Sequence, residues 1–204
     1  MTHSAQRSTS TPLRESRART WSAPRLAYEA GFDNGTGCWE PALLELPSGE
    51  VQLYFANEKP YPLTTEQEIS MMRSADGGET WSEPERVLFR PGHRDGMPVP
   101  VWLKDGSGIA VAIEDNGLLG AFKPVVGFTP AEQNWSGGEQ RWSALEVPLA
   151  APVYGGAPYL RQFPSGETIL SFQSGEGRAR GNTLDFSRMA VYVGDASARN
   201  FGAR

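Results

Sequence analysis

The chain has 204 residues, 39% of them hydrophobic, with 23 Gly and 16 Pro, enough to bury one substantial core. A formal net charge of -5 and the lack of a basic stripe exclude nucleic acid as an expected partner, and no run is long and apolar enough to suggest a membrane partner. With His3 and His93 as the only histidines and Cys38 as the only cysteine, a zinc cluster and an intrachain disulfide are excluded; no metal and no cofactor is expected. Residues 1–19 are rich in Ser, Thr and Arg, lack the apolar centre of a secretory signal, and read as a disordered leader. An outer strand is expected at about 20–29.

A repeat then organises the rest. Trp21, Trp81 and Trp142 each open a WS run and stand 60 and 61 residues apart, and Phe201 follows after a further 59. A period near sixty has room for four short strands and their turns, as in one propeller blade. Segments beginning at Pro41, Pro100 and Pro158 share one layout, an apolar run, a glycine turn and a second apolar run, which reads as the inner hairpin of a blade. Third strands are expected at about 67–73, 120–128 and 186–193, and fourth strands at 81–89 and 142–149. The fold class is therefore all-β: over residues 20–204, blades at 30–90 and 91–150 and three strands of another at 151–204, about three blades of an incomplete propeller.

One turn carries a pattern. SADGGETW places Ser74, Asp76, Gly78 and Trp81 so that the Asp76 carboxylate can accept from backbone N–H groups of the turn, Gly78 can turn left-handed, and Trp81 can plug the gap between sheets. Three related stretches, RESRARTW, WSGGEQRW and GDASARNF, keep the aromatic and lose the Asp or Gly at that offset.

In a meander the start of the first strand and the end of the second lie at the same end of the blade, so a pocket is expected there. Glu58, Glu114 with Asp115, and Glu176 follow the second strands; Asp33, Trp39 with Glu40, His93 with Arg94 and Asp95, and Tyr154 precede the first. This carboxylate-rich rim suits glycosidic hydrolysis, in which one carboxylic acid protonates the leaving oxygen and a second carboxylate or a tyrosinate attacks or activates water. Glu114, ending the apolar run GIAVAI, is the candidate acid; Glu176 is the candidate nucleophile or base, with Tyr154 between them. Trp39, Glu40, Arg94, Asp95, Asp115 and Arg178 are candidate substrate contacts, Trp39 as a stacking platform, with Arg94 and Asp95 alternatively paired to each other. Glu58, beside Lys59, reads as a solvated loop residue.

The turn at Ser74–Trp81 resembles the Asp box of the sialidase superfamily. WEPALLELPSGEVQLYF, RDGMPVPVWLKDGSGIAVAIEDNG and QSGEGR are similar to stretches of exo-sialidases and exo-1,5-arabinanases, and the likeness covers roughly residues 20–204. It implies a propeller of five or six blades, removal of terminal sugars from a sialoside or arabinan-like carbohydrate, metal-free acid-base chemistry and an extracellular location. Sialidases of this kind use three arginines on the substrate carboxylate, whereas the arabinanase branch relies on two glutamates. Here a glutamate pair and a tyrosine are matched, but Arg94 and Arg178 are at most two of the three arginines, which favours a neutral sugar. Six blades of this period need about 360 residues. The expectation is a truncated product, with the alternative of a homodimer whose two copies close one six-bladed ring; a binding propeller without turnover is the alternative function.

Overall fold

The structure, a computed structural model, describes residues 22–31, 36–118, 120–178 and 187–202. The expected leader 1–19, Trp21 and Asp33 lie outside them. Three antiparallel sheets follow one another along the chain. The first blade holds β1 (Cys38–Glu45), β2 (Val51–Asn57), β3 (Glu68–Ser74) and β4 (Glu85–Leu88). The second holds β5 (Asp95–Trp102), β6 (Gly108–Asp115), β7 (Lys123–Pro130) and β8 (Gln140–Ser143), and the third holds β9 (Gly155–Gln162), β10 (Thr168–Ser174) and β11 (Arg188–Gly194). Strand order within each sheet is sequential, and the inner strands β1, β5 and β9 neighbour one another, as in a partial sialidase-like propeller.

The cores lie between blades. Ile109, Val111 and Ile113 of β6 pack with Tyr54, Ile69 and Met71 of the first blade, while the alternate residues Ala110 and Ala112 pack with Leu160, Leu170 and Phe172 of the third. Because side chains alternate faces along a strand, β6 has to be apolar on both, and its unbroken run GIAVAI is the signature of that position. Gly127 of β7 allows the first two blades to close: a β-carbon there would lie 2.5 Å from the Leu88 side chain.

Two expectations are corrected. No strand forms at 22–31; the segment pairs with no strand edge and instead packs on the first blade, with the Tyr28 ring 4.7 Å from that of Phe55 and its hydroxyl donating to Asn57 Oδ1. The fourth strand of the second blade ends at Ser143, so Trp142 lies at its end and does not open it.

The tags also differ in what they do. In the turn after β3, the Thr80 hydroxyl, the Thr80 N–H and the Ser74 hydroxyl all bond to Asp76, holding its carboxyl down at about 2. Trp81 is only half-buried. The gap between the first and second blades is filled by Trp135, seven residues before the WS tag, whose indole N–H donates to the Tyr54 hydroxyl at 2.9 Å while that hydroxyl donates to Gln52. In the third blade Asp195 performs the turn-holding role from one position earlier than the pattern requires, accepting from the N–H groups of Ser197 and Arg199. Removing a buried aromatic side chain costs about 3–5 kcal/mol. Trp135→Ala should therefore destabilise the fold by about that much and Trp81→Ala by clearly less, as measured by urea unfolding of the two variants.

Candidate functional site

Each inner strand carries the same irregularity. The ladder skips a residue at Glu40-Pro41, at Met97-Pro98 and at Ala157-Pro158, and the residue before each proline is left-handed, with φ of 58°, 53° and 50°. Such a bulge takes one residue out of the ladder and leaves its N–H in need of another acceptor. Carboxylates from the neighbouring blade supply it: Glu40 Oε2 accepts from Met97 N at 2.7 Å, and Glu114 Oε2 accepts from Ala157 N at 2.8 Å.

Strand alternation explains why Glu114 points there. It continues the Ala110, Ala112 face of β6, which looks toward the third blade, whereas Asp115 continues the Ile109, Ile113 face toward the first. Beside Glu114 lies Tyr154. A β-carbon on Gly156 would be 2.3 Å from the Tyr154 hydroxyl and 2.5 Å from Glu114 Oε2, so the two oxygens face each other across space that only glycine leaves open. Burial, chiefly, raises the Glu114 carboxyl; the Ala157 N–H opposes this, Glu40 adds to it and Arg94 opposes it. Tyr154 is pushed up to about 12 by burial and by the negative charges of Glu114 and Glu40. Glu40, Glu114, Tyr154 and Arg94 thus feel one another at a single mouth. From it an open groove of about 530 Å³ runs along the inner strands, with Leu43, Tyr159 and Arg161 on its walls. A second hollow, about 450 Å³ between Arg86, Phe89 and Trp135, borders none of these four residues.

The other expected residues divide differently. Asp95 and Asp115 are fully buried: Arg141 grips Asp95 through two nitrogens at 3.1 and 2.8 Å and reaches Asp115 at 2.7 Å, where Arg90 joins at 3.0 Å. They anchor the second blade to the connection from the first and are not exposed to a substrate. Burial outweighs Arg141 at Asp95, which is pushed up to about 6; at Arg141 burial acts the other way, and Asp95 and Glu139 override it to raise the guanidinium. The alternative Arg94–Asp95 pairing does not occur. Arg94 donates to Glu58, Gln67 and the Thr65 carbonyl.

Glu58 is accordingly not solvated. It is buried, and although burial would raise its carboxyl, hydrogen bonds from Arg94, Trp39 and Gly37 hold it below the usual carboxylate range. Trp39 is 52% exposed, its ring folded over Gly37. Glu176 stands at the same end of the third blade, since Gly175 N donates to the Tyr154 carbonyl, but its carboxylate is exposed and pairs with Arg188 of β11 at 3.3 Å. Arg178 is exposed in the turn that follows. Strand pairing shows why these glutamates are not equivalent: Asn57, Asp115 and Ser174 all oppose the first residue of their inner strands, so Glu58 lies one residue and Glu176 two residues past the strand, while Glu114 lies inside it. A slip of one residue turns a side chain to the other face. No cluster of metal-binding side chains occurs among the described residues.

No protein-family model matches the chain, and no curated protein is similar to it. Solved structures do resemble it. A Penicillium chrysogenum alpha-L-arabinanase complexed with arabinobiose aligns over 78% of this chain and 58% of its own, at 17% identity and a TM-score of 0.52. The GH93 alpha-L-arabinofuranosidase of Fusarium graminearum, also with arabinobiose, aligns over 76% and 45%, at 19% identity and 0.55. A Hadza microbial sialidase aligns over 80% and 36%, at 12% identity and 0.58. The chain spans roughly half or less of the length of most such structures, 36% to 58% of these three.

The Glu40–Glu114 coupling is measurable. Glu40→Gln removes a neighbouring negative charge, so the Glu114 pKa should fall toward the ordinary glutamate value, as followed by carbon-13 NMR titration of the Glu114 carboxyl. An unmoved titration would dissociate the two groups. At this identity the comparisons establish architecture: the chain has the fold of the sialidase-like propeller glycosidases.

Proposed function

We propose that this chain forms part of a glycoside hydrolase that removes a terminal neutral sugar, with Glu114 as general acid and Glu40 as the second carboxylate. The observation that carries this reading is the placement of a partly buried carboxyl with a raised pKa, held by a backbone N–H, opposite a second carboxylate and a phenol at one mouth. Glu114 uses Oε2 to hold Ala157 N, leaving Oε1 to carry the proton. That proton passes to the glycosidic oxygen as the bond to the anomeric carbon breaks, while Glu40 attacks that carbon or takes a proton from the water that does.

A neutral sugar fits the charges better than a sialoside. Among the described residues, the arginine that bears on Glu114, Arg94, is already committed to Glu58 and Gln67, and Glu40 adds negative charge that would repel a substrate carboxylate. The arabinobiose bound to the Penicillium and Fusarium proteins is uncharged and supports the same choice.

The second reading is a carbohydrate-binding propeller without turnover, favoured by the structural duty that Glu40 and Glu114 both perform in capping bulge N–H groups. Glutamine separates the two readings, because its amide oxygen still accepts that hydrogen bond but supplies no acid. On aryl α-L-arabinofuranosides, Glu114→Gln should lower kcat by on the order of 10²–10⁴ without changing the melting temperature. Glu40→Gln should act similarly and Glu176→Gln should stay near wild type. For the wild-type chain, kcat/KM should fall as pH rises through the raised Glu114 pKa, since the acid must be protonated. Binding of arabinose without aglycone release would select the second reading, and loss of activity in Glu176→Gln alone would overturn the assignment of Glu40.

A further inference from the structure

Lys123, at the head of β7, has no part in the chemistry above, yet it is among the more unusual groups in the molecule. It is 3% exposed, and no carboxylate pairs with it among the described residues. Its ammonium donates to two backbone carbonyls, Ala151 at 3.2 Å and Val153 at 2.5 Å, and burial lowers its pKa. An ammonium taken from water without a counter-charge is costly, and an apolar side chain of the same length would fill the same space at less cost. Its position therefore calls for an account.

The two carbonyls belong to the stretch that leads from the second blade into Tyr154. Immediately beyond Tyr154, Gly155 N donates to the Phe122 carbonyl at 2.9 Å, and the Phe122 and Tyr154 rings meet edge to face at 6.5 Å. Tyr154 is thus held from both sides by two consecutive residues, Lys123 before it and Phe122 after it. On the far side its own carbonyl is taken by Gly175 N. These contacts hold the backbone of Tyr154 on both sides and place one ring against its own.

We propose that Lys123 is a positioning residue for the glycosidase site: its ammonium ties residues 151–153 to the second blade and thereby sets the Tyr154 hydroxyl against Glu114. The inference rests on the proposed hydrolase reading only for its effect on rate; the effect on Tyr154 stands independently. Misplacing a site group by about 1 Å can cost on the order of 10²-fold in rate.

The test places 3-fluorotyrosine at position 154, or at position 192 as a control stacked on Phe172, in the full chain and reads the fluorine NMR line in wild type, Lys123→Met, Lys123→Gln and Lys123→Arg. The line at 154 should shift or broaden in the Met and Gln variants and return in Arg, while the line at 192 stays fixed in all four. On an aryl arabinofuranoside, Lys123→Met should lower kcat roughly tenfold to a hundredfold with KM within about twofold, and Lys123→Arg should restore most of it. An unchanged line at 154 in a folded Met or Gln variant overturns the proposal. So does failure of both to fold, which would make Lys123 a determinant of the fold as a whole. If wild type shows no turnover, the hydrolase reading fails on its own and the fluorine line still decides the role of Lys123.

Discussion

The constraint on which this molecule depends is the burial of one strand on both faces. Sheets that stack around an axis have no core of their own; each borrows half from the sheet on either side. In the middle blade, β6 gives Ile109, Val111 and Ile113 to one neighbour and Ala110 and Ala112 to the other, all fully buried. Once that alternation is fixed, the two acidic residues that end the strand cannot do the same work. Asp115 is turned to the first-blade side, where Arg90 from the connection and Arg141 from β8 of its own blade neutralise it, and Glu114 is turned to the third, where the Ala157 N–H bonds it and the Tyr154 phenol lies nearby. Packing far inside the sheet thus determines which of two adjacent carboxylates is gripped by arginines and which faces the mouth.

The bulges make the second half of the arrangement. A left-handed residue before proline is uncommon and costs of order 1–3 kcal/mol, so three at equivalent positions imply that the surrounding structure enforces them. Each bulge removes an N–H from its ladder, and a buried N–H without an acceptor would cost a further ~1–3 kcal/mol. Glu40 and Glu114 answer that need for Met97 and Ala157. The same hydrogen bonds fix the carboxylates in place, as the catalytic role proposed for them would require.

Much of this is legible in the sequence, and the rest fails for identifiable reasons. The three inner hairpins and the Asp76 turn follow from glycine placement and β-branched runs, which act locally. Glu114 is legible because the apolar run that precedes it marks a doubly buried strand. Glu176 follows its second strand as expected, but how far it follows is set by the ladder and not by local sequence: it stands two residues past the last pair and reaches Arg188. Glu58 is misread because its partner, Arg94, arrives from the next blade, 36 residues on. Trp135 is hidden because it plugs its gap from a loop whose residues Asn134 and Trp135 both take positive φ, a conformation that no tryptophan spacing announces. Asp195 escapes the pattern because left-handed Ala198 and Asn200 reshape its turn, so that an aspartate one position earlier reaches the same N–H groups.

Charge is what most separates the two proposed roles of this rim. The described arginines nearest the acidic residues serve the fold: Arg141 and Arg90 hold the buried aspartates, and Arg94 holds Glu58. An exposed ion pair contributes about 0–1 kcal/mol, but these carboxylates are buried, and breaking such a pair typically costs about 3–5 kcal/mol. Turning any of these arginines to a ligand would expose its former partner to that penalty. Under the reading proposed above, a site built this way would recognise its ligand by shape, by hydroxyl hydrogen bonds and by stacking on a half-exposed ring such as Trp39. Glu40 and Glu114, by contrast, are held by backbone N–H groups and carry no arginine ion pair among the described residues.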